Sequence, residues 1–297
     1  MSALVPHGRG EGPPSGRPAG DRLDARQSLT RILLTSDPGA TRIRSWARDI
    51  GRRFLRASPH ACEPDFRRLH TDDLSFLFAA YDERFLNGLC GELLGPDGVT
   101  FRLSSRMSRA GGKTTRLQGP EGTRFEIAIA TSILFDGFVA GDPEVTVGGL
   151  PCRHRLDALQ RLFEHELVHL AEWLCWQESH CGRERFQGIA HRLFLHRAHT
   201  HQLITRSERA ARLGITLGTR VTFRYQGQRL QGRVNRVTKR ATVLVEDPTG
   251  ERWSDGRHYV RYYVPLAELR LADPPMDPSP QPCDSHPNRT SSRSEKP

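Results

Sequence analysis

The sequence predicts an α+β fold: a core of helices packed on a small sheet, followed by a separate all-β module. Three observations carry this expectation. Apolar residues recur at helical spacing over 71–88 and 156–194, two segments between them alternate as strands do, and after Leu213 the chain turns into short strands at tight spacing.

Residues 1–35 are rich in Gly, Pro and Arg with little periodicity, and residues 273–297 are equally poor in apolar side chains; both are predicted disordered. Such ends fit a hydrophobic content of only 36%, against roughly 45–50% in globular proteins. Ile43 to Leu55 supports at most a short basic helix. From Thr71, capping chemistry in Thr71, Asp72 and Asp73 precedes an apolar stripe of Leu74, Leu77, Phe78, Tyr81 and Phe85 that stops at Gly88, which predicts a helix with one buried face. VTFRL (99–103) and FEIAIA (125–130) are predicted strands, with SRAGGK (108–113) a turn between them. Leu156, Leu159, Phe163, Leu167, Leu170 and Leu174 predict a long amphipathic helix, and Phe186, Ile189, Ala190, Leu193 and Phe194 a second. This core is placed at 66–212. VTFRY (221–225), RLQGRVNRV (229–237), ATVLVED (241–247) and RHYVRYYV (257–264), closed by PLAEL, predict a five-stranded SH3-like β-barrel at 214–271.

The chain carries 44 Lys and Arg against 34 Asp and Glu, a formal charge of +10. Such an excess suits a polyanionic partner. Only Lys113, Lys239 and Lys296 among the basic residues are lysine, however, a skew toward arginine that GC-rich coding also produces. The six cysteines, Cys62, Cys90, Cys152, Cys175, Cys181 and Cys283, contain no CxxC pair, which excludes a zinc ribbon and a CxxC redox motif. The opening MSALVPHGRGEGPPSGRP has no apolar leader, and no stretch approaches the ~18 apolar residues of a membrane span, so a cytoplasmic protein with no membrane partner is expected.

HELVH at 165–169 falls inside the long predicted helix. Residues four apart stand one turn above each other, so the imidazoles of His165 and His169 converge on one point, a two-ligand grip for Zn2+. Glu166 lies about 100° round the helix, beside such a metal rather than on it, where its carboxylate can serve as general base toward a water. This is the geometry of metal-assisted peptide hydrolysis, and a zinc metalloendopeptidase acting on a protein substrate is the expected activity. A catalytic zinc needs a third protein ligand. His180 and Cys181, in the turn ESHCG before the second helix, are the first candidates and His201 the next; His191, His196 and His199 read as surface groups or as supports for the ligands.

At these residues the chain resembles the SprT-like family of zincin metallopeptidases. The resemblance covers about residues 70–205 and rests on FAAYDERFLNGLCGELL, on SRMSRAGGKTTR followed by FEIAIATSIL, on HELVHLAEW, on a second helix opening RERFQGIAHRLF, and on THQL at 200–203. It implies a zincin-like core, zinc-dependent proteolysis and, since the family includes DNA-dependent proteases, substrates held on DNA. The family pattern puts its third histidine in a His-Gly pair four residues before an aromatic. Here Gly182 stands four before Phe186, Cys181 five and His180 six, so either His180 with a longer local turn or Cys181 as a thiolate is left to complete the site. The resemblance also implies that the strand at 125–131 forms the cleft edge to which an extended substrate adds by backbone pairing.

Between 214 and 271 stand eleven basic residues against five acidic ones. Arg233, Arg236, Lys239 and Arg240 cluster around one hairpin, with Tyr225, Trp253, Tyr259, Tyr262 and Tyr263 elsewhere in the module, a composition suited to DNA or another nucleic acid in single-stranded or irregular form. The competing expectation is a non-proteolytic nucleic-acid-binding protein whose zinc is structural, marked by a closed four-ligand site, or an interaction scaffold whose barrel binds protein.

Overall fold

The computed structural model describes residues 19–107, 110–120, 122–138, 143–203, 205–238 and 240–272. The fold is mixed α and β, and the chain divides into two units, one ending at Glu208 and one starting at Arg209. No helix among the described residues is long and apolar enough to cross a membrane.

The first unit opens with helices α1 (Ala19–Thr35), α2 (Ala40–Ala57), α3 (Thr71–Leu86) and α4 (Leu89–Leu94). Strands β1 (Val99–Ser104), β2 (Gly112–Gly119) and β3 (Gly122–Ala130) then form a sheet in the order β1-β3-β2, with β3 parallel to β1 and antiparallel to β2. Helix α5 (Thr131–Asp136) and the short strands β4 (Val145–Val147) and β5 (Leu150–Cys152) lead to the long α6 (Arg155–Trp176), followed by α7 (Glu184–Phe194) and β6 (His201–Gln202); the division between the units falls within α8 (Arg206–Arg212), whose Ala210 belongs to the core of the second. β4 pairs with both β5 and β6, so the loop after α7 is tied back to the turn before α6. One apolar core joins all layers: Leu29 and Leu33 of α1, Ile50 and Phe54 of α2, Leu77 and Tyr81 of α3, Ile127 and Ile129 of β3, Phe163 and Leu170 of α6, and Phe186 and Leu193 of α7.

Four sequence expectations change here. Residues 19–35, expected to be disordered, form α1: Ala25, Leu29 and Leu33 recur every fourth residue and are buried, a stripe too narrow to stand out among its polar neighbours. Because α1 and α2 share the core, the folded unit starts well ahead of residue 66. The segment 112–119 is a strand, not the end of a turn. The helix at 71 is capped from one residue earlier: Asp72 N–H donates to His70 Nδ1, and the Asp73 carboxylate accepts from His70 N–H at 2.7 Å, a reciprocal capping box. The expected disordered ends at 1–18 and 273–297 lie outside the described residues.

The second unit is one five-stranded sheet in the order β10-β9-β8-β7-β11, built from β7 (Arg220–Tyr225), β8 (Gln228–Val237), β9 (Ala241–Arg252), β10 (His258–Val264) and β11 (Arg270–Leu271), with a 3-10 turn at Leu266–Glu268 before the last strand. All neighbours are antiparallel. Val221, Phe223, Val234, Val243, Val264 and Leu269 form its core. The four long strands fall where alternation places them, but no closed barrel is found among the described residues: β10 and β11 are the two ends of the sheet.

The rotation of α6 is fixed by a polar cluster. Glu164, with no exposed surface, accepts from Tyr81 Oη at 2.8 Å, from Arg161 Nη1 at 2.8 Å on both oxygens, and from His196 Nε2 at 3.0 Å. Gln160 Nε2 donates to Tyr81 Oη at 2.9 Å and to the Ala47 carbonyl at 2.8 Å, extending the cluster to α2. Burial works against the charge of Glu164, yet Arg161 and His196 hold its carboxyl below the ordinary value. Removing one partner of such a pair leaves the other charge buried and alone, so Glu164→Ala is expected to cost about 3–5 kcal/mol. Tyr81→Phe removes one neutral donor from an otherwise satisfied carboxylate and is expected to cost about 1 kcal/mol. Denaturant midpoints at unchanged m-value measure both; equal, small losses would show that the cluster does not hold α6.

Candidate metal centre

The first turn of the site is supplied by α6 alone. His165 and His169 project from successive turns with their Nε2 atoms 3.2 Å apart and ring centroids 4.9 Å apart. Phe186 of α7 packs against both rings, at 4.8 and 4.5 Å, so neither can swing away from the other. His165 is only 4% exposed, and burial followed by the neighbouring His201 and His169 holds it well below the ordinary imidazole pKa. Burial and the nearby His180 lower His169 to about 4. Both rings are therefore neutral at neutral pH, as metal ligation requires.

A support behind His169 sets its tautomer. Ser179 Oγ donates to Glu172 Oε2 at 2.7 Å and stands 2.6 Å from His169 Nδ1. With its single proton committed to the carboxylate, the hydroxyl accepts from His169 Nδ1–H, which leaves a lone pair on Nε2, the atom facing His165. Glu172 is 1% exposed and is held in turn by Arg185 Nε at 2.7 Å. His165 Nδ1 has no hydrogen-bond partner among the described residues.

Cys181, at the turn into α7, completes the group: one donor atom each from His165, His169 and Cys181 lies within 4.8 Å of the others, and no fourth His, Cys, Asp or Glu joins them among the described residues. His180 stays outside. Its ring is exposed and turned onto its own loop, where Nδ1 accepts from Gly182 N–H at 3.1 Å. His201 stands against His165, ring centroids 4.7 Å apart, but is not part of the group. The set fits a metal: zinc–nitrogen bonds of about 2.0–2.1 Å at a tetrahedral angle put two nitrogens roughly 3.3 Å apart, near the separation of the two Nε2 atoms, and a thiolate is a usual third donor.

Glu166 sits one residue round from His165, 3% exposed, and burial raises its carboxyl to about 7 against the hydrogen bond from Thr114. Thr114 Oγ1 lies 2.8 Å from Glu166 Oε2 and 3.0 Å from the Glu166 carbonyl. Beneath it, a Cβ at Gly112 would stand 2.5 Å from Glu166 Oε1, so only glycine lets β2 approach this closely. A carboxyl with a proton affinity near neutrality can both take and return a proton. The strand beside the site is thus β2, not the one at 125–131; β3 is the middle strand of its sheet, and β2 is the edge. Beyond Thr114, Arg116 of β2 stands over Trp173 of α6 at 5.6 Å, at the margin of a cleft of about 1350 Å³ that also includes Phe101 and Gln177. Gly112, Thr114, Ser179 and Glu172 were not singled out by the sequence; the small residues in AGGKTT are the one visible trace of the close approach.

The four basic residues expected to act together are only partly placed. Arg233 and Arg236 are exposed on β8, Arg240 is exposed after it, and Lys239 lies outside the described residues. The register shows a wider feature. Arg220 of β7 stands directly opposite Arg233 of β8, and Arg224 opposite Arg229, two like-charged cross-strand pairs on the face away from the core. Arg236 and Tyr263 both pair with Thr242 and share that face. β7 and β8 contain no acidic residue, whereas on β9 and β10 Glu246 and Glu251 are bonded to Arg257 and Arg261.

No protein-family model, no curated protein and no solved structure matches the chain.

Proposed function

We propose that the first unit is a zinc metalloendopeptidase with a zincin-like core, as the SprT-like resemblance implies. The observation that carries the reading is the placement of Glu166, buried and proton-affine, beside two imidazoles whose lone pairs converge and under an edge strand. His165, His169 and Cys181 would hold the metal. A zinc ion there supplies a Lewis acid that polarises a carbonyl and makes water easier to deprotonate. The remaining work belongs to the chain. The free edge of β2 pairs with an extended peptide and presents its backbone to the site, which selects conformation more than side chains. Glu166 takes the proton of the attacking water and returns it to the departing nitrogen, while Thr114 and Gly112 keep its carboxylate in place. A group of three donors rather than four favours this over a structural metal.

The second unit we read as a polyanion-binding module, with SH3-like character in its short antiparallel strands. Like charges directly opposed across strands repel, and the two Arg–Arg pairs of β7 and β8 have no acidic residue on either strand to offset them. A phosphate backbone relieves that repulsion, and Tyr263, 64% exposed on the same face, offers a stacking surface for a base. Single-stranded DNA is the partner this favours, and proteins bound to DNA the substrate class.

Glu166→Gln is expected to keep the metal in stoichiometric amount and lose peptide hydrolysis by at least about 100-fold, the lower range for a general base. Turnover undiminished in the metal-loaded variant would remove Glu166 from the chemistry. For the second unit, changing Arg220, Arg224, Arg229 and Arg233 together to Gln in the full chain should flatten the dependence of log affinity for single-stranded DNA on log salt, by about 0.7 for each phosphate that is no longer neutralised. An unchanged slope would mean that this face does not meet the backbone.

A further inference from the structure

His201 stands against His165 of the metal group, and a backbone amide decides the roles of its ring nitrogens. It lies on β6, paired with Val147 of β4, and Gly148 N–H donates to its Nδ1 at 3.1 Å. A nitrogen that accepts from an amide carries no proton, so the proton of the neutral ring is on Nε2. Nε2 therefore has no lone pair to give a metal, which agrees with the position of His201 outside the three-donor group. Nε2–H is also a donor, and no side chain among the described residues accepts from it.

Three neighbouring side chains have their polar protons committed, and His165 Nδ1 is buried without a partner. Ser179 donates to Glu172, His169 Nδ1–H points at Ser179, and Thr114 Oγ1 donates to Glu166. His201 is half-buried, its ring centroid 4.7 Å from that of His165 and the ring planes at 77°. The amide that sets the tautomer is rigid. Gly148 has φ +61°, its carbonyl accepts from Arg197 N–H at 2.7 Å and from Ala198 N–H at 3.1 Å, and a Cβ there would stand 2.7 Å from His196 Nδ1.

We propose that His201 is a catalytic residue of this site, donating its Nε2 proton in a hydrogen bond to the carbonyl oxygen of the scissile peptide as that oxygen becomes an oxyanion. The proposal rests on the peptidase reading and names a residue that reading leaves without a role. In the addition step the water oxygen bonds to the carbonyl carbon, one water proton passes to Glu166, and the carbonyl π pair moves onto oxygen, opposite His201. In the collapse that pair re-forms the C=O bond, the C–N bond breaks, and the proton held by Glu166 goes to the departing nitrogen. His201 keeps its proton throughout; it acts by a bond that strengthens as charge develops, which is how such donors lower a barrier.

The test compares His201→Phe, which keeps the ring and removes the donor, with His201→Gln, which keeps an uncharged N–H donor. Zinc content, thermal midpoint, turnover of an internally quenched peptide library, and affinity for a phosphinic peptide that mimics the tetrahedral state are measured on the full chain. His201→Phe is expected to retain zinc, to lower kcat by about 10²–10³ with little change in KM, and to lose phosphinic affinity in the same proportion. His201→Gln should recover part of both. Zinc lost from His201→Phe would make His201 a ligand and overturn the proposal. So would turnover and phosphinic affinity within about threefold of wild type, a range too small for an oxyanion donor, and so would a fall in both that follows the thermal midpoint and is not recovered by Gln. Absence of hydrolysis by the wild-type chain on every peptide of the library would remove the peptidase reading itself, and the proposal with it.

Discussion

A carboxylate with no exposed surface, one residue ahead of the first metal-group histidine, sets the geometry on which the first unit depends. Glu164 is anchored by Arg161 on its own helix, by Tyr81 on α3 and by His196 in the loop after α7. Since a helix turns about 100° per residue, fixing the azimuth of Glu164 fixes that of the next five positions. His165 and His169 are thereby aimed at α7, and Glu166 at β2. The same bond carries the order outward, because His196 packs against Gly148, whose amide holds His201. One buried charge thus positions two imidazoles, a carboxylate and a hydrogen-bond donor that come from two separate parts of the chain.

Around that fixed helix the site is assembled from elements of different stiffness. α6 is buried along most of its length, and the aromatic wall of Phe186 fixes the imidazoles from the second side. β2 is the opposite kind of element: an edge strand of polar residues that touches α6 closely because Gly112 has no side chain. Such an edge keeps unpaired backbone groups, which on the proposed reading would receive an extended peptide. Arg116 and Trp173, which line the neighbouring cleft, join β2 to α6 beyond Thr114.

The long helices were legible because their apolar residues keep a 3.6-residue period over many turns, and α6 and α7 end close to where that period stops. β2 was not, since KTTRLQG has no apolar alternation; its contact with the buried carboxylate of Glu166 is visible in three dimensions alone. α1 hid behind a three-residue stripe whose burial depends on partners far along the chain. HELVH pointed to two candidate ligands and a candidate base, but spacing could not separate His180 from Cys181. What separates them is local: His180 turns onto the Gly182 amide, whereas Cys181 remains beside the imidazoles. The tautomer of His201 depends on an amide 53 residues away. Likewise the arginines read as a hairpin cluster belong to a face whose strongest feature, paired arginines across β7 and β8, needs the strand register.

The central claim is that His165, His169 and Cys181 together form a metal-binding set. Metal-edge X-ray absorption on the full chain loaded with one equivalent of zinc tests it most directly. The account predicts two nitrogen scatterers at about 2.0–2.1 Å and one sulfur at about 2.3 Å, with the sulfur shell lost in Cys181→Ala and kept in His180→Ala. A first shell of nitrogen and oxygen alone, unaffected by Cys181→Ala, would contradict it.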